Sequence, residues 1–256
     1  MLKPDTTKIT ALIITYNEIG YIERCLDSIG FADEIIVVDS FSTDGTYEYL
    51  VGRVDVQVLQ HKFENFTLQK SYALGLASFD WILFLDADEV ITTALAREIE
   101  EITSGPTPHS AFWVYRKFMF QQKRLRFSGW QTDKNYRLFR KSKAKFTDQR
   151  LVHETLEVQG STGVLKHKLI HYSYKNYADY KGKMLHYGRL KALETFGQGK
   201  RCSYILFVLK PAWKFFNHFV LRLGFLDGRK GLVISYLNAL GVFERCRSLR
   251  KLEHEN

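Results

Sequence analysis

Two aspartates one residue apart, Asp86 and Asp88, close a short apolar run in Asp80-Trp-Ile-Leu-Phe-Leu-Asp-Ala-Asp-Glu89. Carboxylates fixed at that spacing on a strand end offer hard oxygen ligands to Mg²⁺ or Mn²⁺ and leave positions open for phosphate oxygens. The competing chemistry is plain capping, because Asp88 or Glu89 could start the helix expected from about Thr93. An isolated pair of this kind is more often a cap than a ligand, so the surroundings must decide between the two.

The surroundings supply further carboxylates at strand ends. Glu34-Ile-Ile-Val-Val-Asp39 is a second apolar run closed by an acid, followed by the turn-forming Ser40-Phe-Ser-Thr-Asp-Gly45. Asp39 thus stands either where nucleotide-binding sheets hydrogen-bond a ribose or base, or at the N-cap of a turn. Neither G-x-G-x-x-G nor G-x-x-x-x-G-K-[ST] occurs, so no loop of backbone amides is provided for phosphates. A diphosphate bound here needs a cation, which is the role Asp86 and Asp88 can fill. Further on, His153, His167 and His171 gather with Glu154, a group that can contain a general base or a metal ligand.

These residues require a particular frame. Ile9–Thr15, Glu34–Asp39, Val54–Gln60 and Trp81–Leu85 read as buried strands. Helical segments are expected over 20–29, after Gly45, and over 67–77. Strand and helix in alternation predict right-handed crossovers and a parallel sheet, with the ends of the first, second and fourth strands converging on one crevice. After Ser104-Gly-Pro-Thr-Pro108 the texture changes to strands of mixed direction, 111–120 and 136–140, rich in aromatic and basic residues suited to sugars and anions. The fold class expected is α/β. A mainly parallel nucleotide-binding sheet (residues 1–105) leads into a mixed-strand acceptor half (106–196), then C-terminal amphipathic helices (197–256).

In that last segment Ile205, Leu209, Ala212, Trp213, Phe216, Phe219, Val220 and Leu223 recur at helical spacing, with Lys210, Lys214, Asn217 and His218 on another face. A second amphipathic pattern runs from Leu232 to about Leu249. Such helices fit an anionic membrane surface, or packing on the catalytic domain or a second subunit.

Charge divides the chain sharply. Residues 1–105 carry 7 Lys/Arg against 18 Asp/Glu, and residues 106–256 carry 30 against 10, within an overall net charge of +9. An acidic half able to hold a cation is joined to a basic half able to face anions. Three widely spaced cysteines, Cys25, Cys202 and Cys246, give no zinc spacing and no disulfide framework, which points to a reducing compartment. The N-terminal residues carry no apolar signal segment, and Tyr204–Leu223 is too polar to span a bilayer, so a cytoplasmic location is expected.

Taken together, Ile13-Ile-Thr-Tyr-Asn-Glu18, Asp33-Glu-Ile-Ile-Val-Val-Asp-Ser40 with Thr43-Asp-Gly-Thr46, Phe84-Leu-Asp-Ala-Asp-Glu89, Arg137-Leu-Phe-Arg140 and Val152-His-Glu154 resemble the family 2 inverting glycosyltransferases. The similarity runs from residue 9 to about 245 and is nearest to the branch that adds β-1,4-linked glucose to the lipopolysaccharide inner core. It departs in Gln69-Lys-Ser-Tyr-Ala-Leu74, where the family usually carries Asn at the position of Ser71.

The resemblance implies a GT-A fold, a UDP-sugar donor, a divalent metal (Mg²⁺ or Mn²⁺) and a lipopolysaccharide core or related glycolipid acceptor at the inner face of the cytoplasmic membrane. By position, Thr15, Asn17 and Glu18 lie by the nucleotide, Asp39 holds uracil or ribose, Lys70 approaches the donor, and Asp86 and Asp88 serve the sugar ribose and the metal diphosphate. Independently of the resemblance, His171 from the His/Glu group is expected as a further metal ligand through its imidazole nitrogen. The catalytic base is assigned to Glu154, one of only four carboxylates between residues 106 and 160, with Asp133 the alternative and Glu157 the weakest choice.

Two rival readings remain at this level. A nucleotidylyltransferase shares the sheet and the carboxylates but needs a Gly- and basic-rich loop that Thr15–Gly20 does not offer. A nucleic-acid-binding protein explains the basic half yet leaves the acidic strand ends to repel its ligand, so no nucleic-acid partner is expected. A homo-oligomer is compatible with the C-terminal pattern.

Overall fold

The computed structural model describes residues 5–129, 132–147, 155–174 and 176–255. The chain divides into two compact units, one of residues 1–116, 134–149 and 154–171, the other of residues 117–133, 150–153 and 172–256.

The first unit begins with strand β1 (Ile9–Thr15), helix α1 (Ile22–Asp27), β2 (Glu34–Asp39), α2 (Thr46–Val51), β3 (Gln57–Gln60), α3 (Phe66–Leu76) and β4 (Trp81–Asp86). These strands are parallel in the order β3-β2-β1-β4. Register brings Thr15 beside Asp39 and Ile14 beside Asp86, so the first, second and fourth strands end together as expected. The third strand is shorter than its apolar run, because Val54 lies in a turn, fully exposed.

Strands β1, β2 and β4 are buried on both faces, which is why their sequences are continuously apolar rather than alternating. Ile9, Ala11 and Ile13 of β1 pack with Ile22, Cys25 and Leu26 of α1 and with Leu95 and Ile99 of the later helix α4 (Thr93–Ser104). Leu12 and the half-buried Ile14 face the opposite way, toward Ala73 and Leu74 of α3. Each large side chain so buried contributes roughly 1.5–3 kcal/mol. Phe84→Ala in the middle of β4 would cost about 3–5 kcal/mol through the cavity it leaves.

Past β4 comes the two-residue strand β5 (Glu89–Val90), then α4, whose N-cap is Thr92: its hydroxyl accepts from the Leu95 amide at 3.3 Å. Neither Asp88 nor Glu89 is the cap. The strands of mixed direction follow as β6 (His109–Phe120), β7 (Lys123–Arg124) and β8 (Lys134–Arg140). β8 lies antiparallel between β4 and β6. β9 (Ala144–Thr147) and β10 (Thr155–Val158) form a separate antiparallel pair. β11 (Ser161–Val164) joins the start of β6, and β12 (Leu169–Tyr174) places Ile170 and His171 opposite Val90 and Glu89. The observed class is the α/β one expected: a mainly parallel sheet with antiparallel additions, followed by C-terminal helices.

The second unit holds the end of β6 with β7, and the helices α5 (Tyr177–Gly197), α6 (Tyr204–Phe216) and α7 (Arg229–Glu255). A π-helical turn, Asn217–Leu221, extends α6. The second amphipathic pattern is therefore a longer helix than its apolar residues mark, and α5 was not foreseen at all. Phe118, Phe120, Leu125, Tyr180, Ile234 and Leu237 form one core, and Ala192, Cys202, Cys246 and Leu249 a second. α5 and α7 cross closely because Gly188 has no side chain: a Cβ there would come within 2.7 Å of the Gly241 carbonyl oxygen. Asp227, in the turn before α7, accepts from the Arg126 and Phe127 amides at 3.0 and 2.9 Å. No described helix is long and apolar enough to cross a membrane.

Candidate active site

The first two strand ends are stitched together by their loops. The Asn17 amide donates to Ser42 Oγ at 2.9 Å, and Asn17 Oδ1 accepts from the Thr43 amide at 2.8 Å. The Glu18 amide reaches Thr46 Oγ1 at 3.0 Å, and the Ile19 amide reaches Asp44 at 3.2 Å. Asn17 makes these contacts from a left-handed backbone (φ 55°), which Asn tolerates better than most residues. Thr15 is buried at the end of β1. Asp39 is fully buried as well, its carboxylate accepting from the Ser42 amide and hydroxyl and from Gln60 Nε2. The residues expected near the nucleotide are thus gathered in one place, with Asp39 directed at its own chain and shaping the loop.

Helix α3 adds Lys70. Its N-cap Asn65 accepts from the Leu68 amide at 2.8 Å, and Gln69 anchors the helix to His61 Nδ1 at 2.8 Å and to Ser40 Oγ at 3.1 Å. One residue on, Lys70 is buried to 7 % exposure with its ammonium above the Phe84 ring of β4.

At the β4 edge the carboxylates divide between two partners. Asp86 Oδ2 accepts from Arg137 Nη2 at 2.5 Å, and the same nitrogen lies 2.6 Å from Glu89 Oε1. Glu89 is fully buried. It also accepts from the Asp86 backbone amide at 3.2 Å and meets Arg116 at 3.5 Å. Asp88 has a different partner: its Oδ1 accepts from His171 Nε2 at 3.2 Å. Burial pushes the Asp86 carboxyl up, but the charges of Arg137, then Lys70, His171 and Arg116, outweigh it and hold that carboxyl well below the usual carboxylate range. Burial pushes the His171 imidazole down, and the Asp88 charge and hydrogen bond more than reverse this. The Cys25 thiol, buried behind β4 with its Sγ toward the Asp86 carbonyl, is held well above its ordinary value by burial and by Glu89, Asp88 and Asp86.

Of the three histidines singled out in the sequence, only His171 is shown at the site. His167 Nδ1 pairs with Glu98 at 2.9 Å, and His153 lies outside the described residues with Glu154. Glu157 pairs with Lys145 on the β9–β10 ladder at 3.1 Å. Asp133 is half-buried and belongs to the second unit. Sequence reasoning missed Arg137, Arg116 and Glu89 as members of the charge cluster. The available signal was an arginine between Tyr136 and Leu138 in a strand otherwise destined for the interior.

Asp88 and His171 together present a carboxylate oxygen and an imidazole nitrogen, donors that suit Mg²⁺ or Mn²⁺. No described group of three or more His, Cys, Asp or Glu residues could hold a metal by itself. Two protein donors still fit such a cation, since Mg²⁺ is usually bound by one or two carboxylates with substrate phosphates completing its shell.

The model of glycosyl transferase family 2 matches residues 10–163, a span covering β1 through the site strands. This chain belongs to that family. Among curated relatives, an uncharacterized glycosyltransferase of Rickettsia bellii is 31% identical over 96% of this chain and 87% of its own. The lipopolysaccharide core biosynthesis glycosyltransferase LpsC of Rhizobium meliloti is 26% identical over 93% of this chain and 92% of its own. Among solved structures, residues 1–349 of S. aureus TarS in complex with UDP-GlcNAc align over 95% of this chain and 92% of that one, with a TM-score of 0.47 at 15% identity. The protein is a family 2 glycosyltransferase, and the β4 edge with its two paired carboxylates lies within the matched span.

Proposed function

We propose that this enzyme transfers a hexose, glucose by the sequence resemblance, from a UDP-sugar to a lipopolysaccharide core or related lipid-linked saccharide in a single displacement with inversion. The observation that carries the reading is the division of labour at the β4 edge. Asp86 is neutralised by Arg137, while Asp88 stands beside His171 at the carboxyl end of a parallel sheet, where such sheets hold ligands. The name of the relative LpsC supports the acceptor class.

In this reading Asn17, Glu18 and the Ser42–Thr46 loop flank the nucleotide, Lys70 lies toward the donor phosphates, and Asp86, fixed by Arg137, receives the ribose side. Asp88 and His171 hold Mg²⁺ or Mn²⁺. Such a cation, when bound, offsets the charge that grows on the departing diphosphate. Arg137 keeps Asp86 ionised and aimed. One carboxylate must take the proton of the acceptor hydroxyl as the bond to the anomeric carbon forms. Glu154 is assigned that role and Asp133 is the alternative.

Turnover of Glu154→Gln and Asp133→Asn with UDP-glucose and a deacylated core acceptor tests the assignment. Loss of about 10²–10⁴-fold is expected for Glu154→Gln, with donor affinity kept. Near wild-type turnover in Glu154→Gln with Asp133→Asn inactive would transfer the role to Asp133.

A further inference from the structure

The apolar face that the sequence places on α6 is turned away from the protein. Ile205, Val208, Leu209, Trp213 and Phe216 follow one another at three- and four-residue steps, and all are exposed, Ile205 by 69% and Trp213 by 59%. The other side of the helix packs: Phe207 meets the Phe243 ring of α7 and the Arg250 guanidinium. Large apolar side chains contiguous on one helix face mark an interaction surface rather than ordinary scatter.

The flank of this stripe is rich in cations, with Glu253 of α7 at its edge accepting from the Cys202 amide at 2.9 Å. From Lys200 to Leu226 the chain carries Lys200, Arg201, Lys210, Lys214 and Arg222 and no carboxylate. A cavity of about 310 Å³ lies beside α6 and is lined by Thr195, Lys200, Arg201, Lys210 and Arg245 together with Cys202. Further along, Lys214 faces Arg222 and Lys191 of α5, and this like-charge crowding adds to burial in holding its ammonium below the ordinary value. Such a concentration of cations is favourable once anions arrive to neutralise it.

We infer that α6 docks on an anionic lipid surface, its exposed stripe entering the headgroup and acyl boundary while phosphate headgroups settle against Lys210, Arg201 and their neighbours. Charge complementarity selects this occupant. A second copy of the chain would bring its own five cations to the same face, whereas an anionic bilayer supplies apolar depth and negative charge together. Lysines on the flank of an interfacial helix keep their ammonium groups at the phosphate level while their stems lie along the apolar face. The inference rests on the lipid-linked acceptor proposed above for its biological use, and it gives that acceptor a plane on which to meet the enzyme.

Co-sedimentation of the full chain with vesicles of equal parts phosphatidylglycerol and phosphatidylcholine, and with phosphatidylcholine alone, tests the inference. Binding to the anionic vesicles that weakens with salt is expected. Trp213→Glu should abolish it, and Arg201→Gln with Lys210→Gln should weaken it about thirtyfold. Val208→Gln with Leu209→Gln gives a milder apolar lesion should Trp213→Glu misfold, with circular dichroism and UDP binding recorded on every variant. Equal binding to neutral vesicles, no vesicle binding, or a stable dimer that Trp213→Glu dissociates would each overturn the inference. UDP binding on the same samples separates the two ideas, since its loss in the wild type defeats the donor reading and leaves the vesicle result standing.

Discussion

The β4 edge of the first unit and the α6 flank of the second both concentrate charge, and they treat it in opposite ways. At the β4 edge the buried acids meet cations: Arg137 between Asp86 and Glu89, Arg116 against Glu89, His171 against Asp88. Around α6 the cations Lys191, Lys214 and Arg222 crowd one another, and the apolar residues that could have been buried are exposed. The first region is self-neutralised and holds its side chains in fixed positions. The second gathers like charges beside exposed apolar surface. Preorganised paired charge is what a reacting centre needs, because its groups then do not reorganise during the reaction. Unpaired charge beside exposed apolar surface is what a docking face needs.

The largest test of this contrast is Arg137→Met. Removing the shared cation leaves Asp86 and Glu89 facing each other with Glu89 fully buried, and stability should fall by about 3–5 kcal/mol, read as the midpoint of urea unfolding. Asp86 should also titrate higher, since Arg137 is the strongest of the charges that lower it. An unchanged midpoint would mean that the cluster is not the tight neutral unit described.

His218 probes the other region. Burial, then the charges of Lys214 and Arg222, push its pKa down to about 4, against about 6.5 for the unfolded chain. Between these values the unfolded chain binds a proton that the folded chain refuses, so stability rises with pH across that window and is lost as pH falls through it. The loss should amount to about 1–3 kcal/mol and should disappear in His218→Asn. A wild-type profile no steeper than that of the variant would remove the crowding from the account.

The smallest effect is expected at Lys145, whose ammonium pairs with Glu157 on an exposed ladder. Lys145→Ala should change stability by no more than about 0.5 kcal/mol. A loss comparable with that of Arg137→Met would show that exposure does not separate the two kinds of ion pair here.

The part of the fold most legible in the sequence is the parallel core. Burial on both faces writes itself as runs such as Ile9–Thr15 and Trp81–Asp86, and the carboxylates that close the second and fourth runs mark the edge where these strands end together. The meeting of the first, second and fourth strand ends was expected from the same alternation, and the register of β1 with β2 and β4 bears it out. Helix α5 was not legible because its packing face is built from Tyr180, Gly188, Ala192 and Thr195, mostly small groups that give little hydrophobic periodicity. Their size is what lets α5 approach α7 at Gly241. Arg137 stood out in the sequence as a motif member and as a cation in an otherwise inward strand, but which two acids it would neutralise depends on the pairing of β8 with β4, which no local pattern carries. Conversely, the α6 stripe was clear in the sequence, yet only the structure could tell whether it was covered.

The central claim is that Asp88, with His171, makes donor binding depend on a divalent cation. Calorimetry of UDP binding with and without Mn²⁺, on the wild type and on Asp88→Ala, tests it most directly. The account predicts UDP binding in the wild type that requires Mn²⁺ and that falls by about 10²-fold or more in Asp88→Ala, with unfolding behaviour preserved. UDP binding that is indifferent to both the metal and Asp88 would contradict it.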